Sequence, residues 1–211
     1  MFVLKPEIPS YGTRANIKPG DIKFRDLDGD GDVDADDRTV IGDPNPEFSG
    51  GLSNNFTYKN FDLNIFFNYS FGNKVININR IKFEGHGQPN QNMFASYIDR
   101  WSPENQNNTY FRTGGQGPVD YVYSSRVIED GSFIKLKTVA IGYNFSPTLL
   151  RKIKLSSLRV YASGQNLLTF TKYQGFDPEV NKFGSDALRP AFDYSVYPYA
   201  RTITFGLNLS F

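Results

Sequence analysis

The last eleven residues, RTITFGLNLSF, alternate without a break. Ile203, Phe205, Leu207, Leu209 and Phe211 share one parity, and Thr202, Thr204, Gly206, Asn208 and Ser210 share the other. Successive side chains of a strand point to opposite faces, so this ribbon has one apolar face and one small, polar face. The apolar face needs a dry partner, either a second layer of protein or lipid.

Four earlier runs repeat the pattern. In FDLNIFFNYSF, Phe61, Leu63, Ile65, Phe67, Tyr69 and Phe71 oppose Asp62, Asn64, Asn68 and Ser70, with Phe66 as the exception. Before it, EFSGGLSNNFTY places Phe48, Leu52, Phe56 and Tyr58 on one face, and Lys59-Asn60 between the two runs reads as a two-residue hairpin turn. In SFIKLKTVAIGYNFS, Val139, Ile141, Tyr143 and Phe145 alternate, but Ile134 and Leu136 have the other parity, which predicts a β-bulge near Thr138. In LSSLRVYASGQNLLTF, Leu158, Val160, Ala162, Leu168 and Phe170 share a face.

These five runs suit a tilted membrane strand, which takes about 9–11 residues. The connections near Lys59 and over Pro147 to Lys154 are short, whereas 73–131 and 171–199 are long and polar. Outer-membrane barrels have short periplasmic turns and long outside loops. The same alternation also builds soluble sandwiches. Two features favour the barrel: few charges on the polar faces, and aromatic residues gathered at strand ends, as in an interfacial girdle. The expected fold is all-β, an antiparallel transmembrane β-barrel segment of about five strands with long extracellular loops.

Seven aspartates crowd into DLDGDGDVDADD, residues 26–37. Asp26, Asp28, Asp30, Asp32, Asp34 and Asp37 occupy positions 1, 3, 5, 7, 9 and 12 of a calcium loop, and Gly31 stands at the sharp-turn position. Position 12 departs from the pattern, since Glu is usual there. Carboxylates at alternate positions can aim at one hard cation, and without one they repel each other. The expected occupant is a structural Ca2+, in a loop without a full helix–loop–helix frame. PGDIKFR before it reads as extended, and a short helix is expected over 35–40.

Catalytic constellations are not evident. The one histidine, His86, lies in a Gly-rich turn, and Glu84, Glu129 and Glu179 have no carboxylate partner at a telling spacing. No nucleophile elbow or phosphate-binding glycine motif occurs. A net charge of +1 gives no basic face for nucleic acid, and the absence of cysteine excludes disulfides and thiolate metal sites. Phe94, Tyr97, Ile98 and Trp101 lie at helical spacing before Ser102-Pro103, which predicts a short helix. Tyr97, Trp101, Tyr121 and Tyr123 are candidate contacts for a ligand or partner; the alternative is packing within their own loop.

The segments GDIKFRDLDGDGDVDADDRTVIGDPNPEFSGGLSNNFTYKNFDLNIFFNYSFGN, DGSFIKLKTVAIGYNFS and LRVYASGQNLLTFTKYQGFDPE occur in that order. From about residue 19 to 211 the chain resembles the C-terminal part of SusC/RagA-type TonB-dependent outer-membrane proteins. The resemblance implies a barrel of about 22 strands with a plugged lumen. It implies import of glycans or peptides, a SusD-like surface lipoprotein as partner, and coupling to the TonB complex through the plug. It also implies that Phe211, with Leu209 and Leu207, is the terminal signal for barrel assembly. The family's plug, TonB box, signal peptide and most of its strands have no counterpart in the sequence, so a fragment inactive by itself is expected. The expected division is 1–18 as upstream remnant, 19–47 as the calcium-type extracellular loop and 48–211 as barrel strands. The remaining reading is a soluble, calcium-stabilised β-sandwich that binds glycans or cell surfaces.

Overall fold

The structure, a computed structural model, describes residues 17–84, 90–115, 123–184, 186 and 188–211. The strands are β1 Phe48–Tyr58, β2 Phe61–Phe71, β3 Lys74–Asn77, β4 Ile128–Asp130, β5 Phe133–Asn144, β6 Ser157–Thr171, β7 Phe192–Asp193 and β8 Thr202–Ser210. Among the described residues there are also two short helices, α1 Ile78–Phe83 and α2 Pro147–Lys152, and 3-10 turns at Ala95–Asp99 and Ser125–Val127.

The residues fall into two compact units. One gathers the described residues up to Asp43 with Ile76–Glu129 and Phe192–Ser195; the other holds Pro44–Val75, Asp130–Ala191 and Val196–Phe211.

The second unit is built on a five-stranded antiparallel sheet in the order β1-β2-β5-β6-β8. These are the five runs of alternating sequence. The register keeps every apolar parity on one side. Leu52 faces Phe67, Ile65 faces Val139, Leu136 faces Leu168, and Val160 faces Leu207. The two sequence parities of β5 are reconciled by a bulge between Leu136 and Thr138 that lets Lys137 stand outside the ladder. The bulge stands where the sequence placed it. Phe66, the exception in β2, lies on the polar side and covers Gly51; a Cβ there would stand 2.8 Å from the Phe66 ring.

Both short connections lie at one end of this sheet, the Lys59-Asn60 turn and the α2 connection. At that end Phe61 packs on Tyr143 with ring centroids 4.7 Å apart, and Tyr143 on Phe145 at 5.0 Å. Among the described residues many of the apolar side chains of this sheet are exposed. Phe205 is 79% exposed and Leu207 61%, with Leu52, Phe56, Ile141 and Phe170 also exposed. A core cluster of this unit lies around Val75, Tyr173 and Val180, and Phe133 and Leu150 are buried as well. An apolar surface of this extent marks contact with another apolar phase.

Among the described residues no helix is long and apolar enough to cross a membrane, which says nothing of strands. The long connections carry structure that the sequence pattern did not show. β4, β3 and β7 form a small sheet, with β3 and β7 parallel through Ile76–Phe192 and Asn77–Asp193. Runs this short have no readable period.

Two local expectations are corrected. No helix follows the aspartates: residues 35–40 hold a turn at Asp36 and Asp37 and then chain without regular structure. The side chain of Asp34 takes the Asp36 amide at 2.8 Å, and Asp37 takes the Asp34 amide at 2.8 Å, so carboxylates replace helical acceptors. The helix expected over 94–101 shrinks to the five-residue 3-10 turn, because Phe94 and Arg100 on either side are extended, with ψ 150° and 152°.

Candidate functional site

The aspartate loop folds around its own amides. Asp26 accepts from Gly29 at 2.6 Å and Gly31 at 3.0 Å, Asp30 accepts from Asp32 at 2.8 Å, and Asp37 accepts from Leu27 and Asp34. Gly29 and Gly31 take φ of 82° and 92°, the left-handed region that favours glycine. Val33 is buried, at 2% exposure, and anchors the loop.

Of the six carboxylates expected at a cation, the fold gathers Asp26, Asp28 and Asp30, with one oxygen from each within 4.8 Å of the others. Two oxygens on one Ca2+ at about 2.3–2.6 Å stand at most about 5 Å apart, so the triad fits such an ion. All six carboxylates accept backbone amides, Asp32 from Val33 at 2.9 Å among them, so the triad is distinguished by the closeness of its oxygens. The Asp30 amide donates to Asp28 and pulls its carboxyl down; desolvation and the charges of Asp30, Asp37 and Asp26 outweigh this and hold it above the usual value. A divalent cation would relieve that repulsion.

The expected aromatic contacts divide. Trp101 is 9% exposed and lies on Gly20, where a Cβ would stand within van der Waals distance of the indole. Tyr97 is half-buried; its hydroxyl meets Thr113 Oγ1 at 2.7 Å, and Arg100 lies over its ring at 4.7 Å. Tyr123 is 56% exposed. Tyr121 and His86 lie outside the described residues. Leu207 and Leu209 sit on the apolar side of β8, facing Val160 and Leu158, and Phe211 follows the strand at 94% exposure.

The polar side of the sheet carries a charged cluster that the sequence reading missed. Lys135, on β5, is 1% exposed, and its Nζ donates to both oxygens of Asp177, at 2.9 and 3.1 Å, and to Glu179. Lys137, the bulged residue, donates to Glu179 at 2.9 Å, and Asn68 of β2 donates to it at 3.0 Å. The Tyr199 ring lies 5.4 Å from the Lys135 ammonium and 5.1 Å from that of Lys137. Burial pushes the Glu179 carboxyl up, but the hydrogen bonds from Lys135, Lys137 and Asn68 outweigh it and hold the group below its usual value. The cluster ties the segment after β6 down onto the sheet. Its trace in the sequence is Lys135 and Lys137, the two charges of β5, of which Lys135 stands on the polar parity.

Glu84 and Glu129 are ion-pair partners. Both meet Arg80, at 2.8 and 3.5 Å, and Glu84 also meets Arg126 at 2.7 Å. No arrangement of nucleophile and base is formed by these groups.

No family model matches the chain. It is 41% identical over 197 residues to TonB-dependent receptor P3 of Formosa agariphila, a match of 92% of this chain and 19% of the receptor. It is 30% identical over 200 residues to TonB-dependent receptor SusC of Bacteroides thetaiotaomicron, covering 93% of this chain and 18% of SusC. Among solved structures, the RagAB peptide importer in its closed-closed state matches with a TM-score of 0.70 and 28% identity, over 92% of this chain and 21% of the importer chain. The chain thus spans about a fifth of the length of the curated relatives it matches. TonB-dependent receptors reside in the bacterial outer membrane and are transporters, not enzymes. The exposed apolar face, the polar opposite face and these matches converge: the chain belongs, as a segment, to the SusC/RagA type of TonB-dependent receptor.

Proposed function

We propose that this chain is a C-terminal piece of the wall of an outer-membrane importer for glycans or peptides. It works as part of a barrel that draws energy from the TonB complex and receives its cargo from a SusD-like surface lipoprotein. One observation carries the reading: the five long strands put every apolar parity on a single exposed side. In lipid that side is satisfied, while the polar side suits a wet or plugged lumen. Residues 48–211 supply the strands and their loops. The short-turn end with its Phe61, Tyr143 and Phe145 stack faces the periplasm, and the long loops face outward. Leu207, Leu209 and Phe211 serve as the signal for barrel assembly.

Within this reading residues 19–47 form an extracellular loop pinned by a structural Ca2+ at Asp26, Asp28 and Asp30. The closeness of the three carboxylates and the positive φ at Gly31 support it. The ion's role is to hold the loop's shape.

An antibody to residues 171–199, applied to intact cells of the source bacterium and to its fractionated membranes, tests the proposal. The expected antigen is surface-exposed, in the outer membrane, several times heavier than this chain alone, and recovered with a surface lipoprotein. A soluble antigen of this chain's own size would overturn it.

A further inference from the structure

In the first unit a cavity of about 460 Å3 is lined by Lys23, Arg25, Arg80 and Arg126 with the hydroxyls of Ser124 and Ser125, and by no carboxylate among the described residues. Arg80 and Arg126 are fixed by bonds to their neighbours. Glu84 accepts from Arg80 Nε with one oxygen and from Arg126 Nη2 with the other, at 2.8 and 2.7 Å. Arg80 Nη1 donates to the Arg126 carbonyl at 2.8 Å, and Arg126 Nη1 donates to the Thr109 carbonyl at 2.8 Å. Arg126 also lies over the buried Phe111 ring at 5.1 Å. A guanidinium has five N–H donors, so both keep donors to spare while their planes are held.

Glu84 and Glu129 balance these two arginines. Arg25 then gives the lining a surplus of positive charge; it is exposed, with no partner among the described residues. Burial pulls the Arg126 guanidinium below its ordinary value; Glu84 opposes this and the neighbouring Arg80 charge reinforces it. An anion would relieve that crowding of charge.

We propose that this cavity binds an oxyanion group, a carboxylate or sulfate carried by a small solute. Arginine forks match such groups with paired, charge-assisted hydrogen bonds, and serine hydroxyls add neutral donors. The volume lies within the range of about 300–1,000 Å3 usual for small-molecule sites. A second cavity of about 590 Å3 shares Arg25, Ser124 and Ser125 and adds the exposed Tyr123 together with Asp34, Asp37 and Arg38, so the adjoining surface is mixed, with Tyr123 as the aromatic contact for a neutral part of the solute. That the solute is one of the imported cargoes rests on the importer reading; anion binding is measured without it, so the two can fail separately.

The test is calorimetric titration of the purified receptor with sulfate, followed by competition with an acidic tripeptide and with a disaccharide bearing a uronate carboxylate. The expected result is saturable sulfate binding, displaced by one of the two organic anions, which names the source. Arg25→Gln, which breaks no hydrogen bond among the described residues, should weaken binding at least tenfold, whereas Lys152→Gln, the same charge change in α2, should leave it unaltered. Hydrogen exchange over residues 78–84 and 124–128 checks that Arg25→Gln keeps the Arg80, Glu84 and Arg126 cluster. Equal affinity in Arg25→Gln and the parent, displacement by neutral homologues as strong as by the anions, or displacement by neither anion would overturn the site.

Discussion

Replacing Lys135 by Met tests whether the cluster on the polar side holds the segment after β6 in place. The ammonium is buried and is hydrogen-bonded to Asp177 and Glu179. Removing one partner of a buried pair costs about 3–5 kcal/mol, since a charge is left without compensation. Here Lys137, one-third exposed, remains on Glu179 at 2.9 Å, so the lower end applies, about 3 kcal/mol. The stranded group is Asp177, 6% exposed. The effect is local, and hydrogen exchange of peptides covering 173–184 in the reconstituted receptor reads it. At about 1.4 kcal/mol per factor of ten, exchange limited by opening of this segment should speed up by about 100-fold. Adding Asp177→Asn removes the stranded carboxylate and should recover at least about tenfold of that. Exchange within threefold of the parent in Lys135→Met, or no recovery in the double variant, would refute the reasoning.

Three other outcomes are expected. Glu179 titrates below its usual value, 4.5, in the folded state; a depressed carboxyl contributes stability above its unfolded value that is lost as pH falls through the folded one. Protection of residues 176–183 should therefore hold from neutral pH to about 4.5 and fall below it, and Glu179→Gln should remove that fall. Asp30→Ala removes one of the three gathered carboxylates and should weaken calcium binding by tenfold or more in calorimetry of the receptor; unchanged affinity would place the ion elsewhere or nowhere. Gly20→Ala meets both a φ of 87° and the Trp101 ring, and should cost about 2 kcal/mol or more, read as faster exchange of the Ile22 amide that pairs with the Gly115 carbonyl.

The long strands were legible because period-2 alternation survives over nine or more residues, and the parity change within SFIKLKTVAIGYNFS marked the bulge at Lys137. The aspartate turn was legible in spacing, but which carboxylates converge was not: Asp32 and Asp34 also stand at ligand positions, yet the three oxygens gathered within 4.8 Å come from Asp26, Asp28 and Asp30. Helical spacing misled at Tyr97 and Trp101, since a five-residue 3-10 turn and the indole's seat on Gly20 satisfy the same aromatic pattern. The Lys135 cluster was out of reach, because its partners lie 42 and 44 residues away with no periodic signal between them. Arg80, Glu84 and Arg126 are likewise joined only by the fold.

The central claim is that one side of the sheet faces lipid. Single cysteines at 203 to 209 of β8, placed in a receptor otherwise free of cysteine, can each carry a spin label within outer-membrane vesicles; this chain itself contributes none. Collisions with oxygen, which concentrates in lipid, should peak at 203, 205, 207 and 209, and collisions with a water-soluble nickel chelate should be lowest there. A flat profile, or greater access of the chelate to 207 than to 208, would contradict the account.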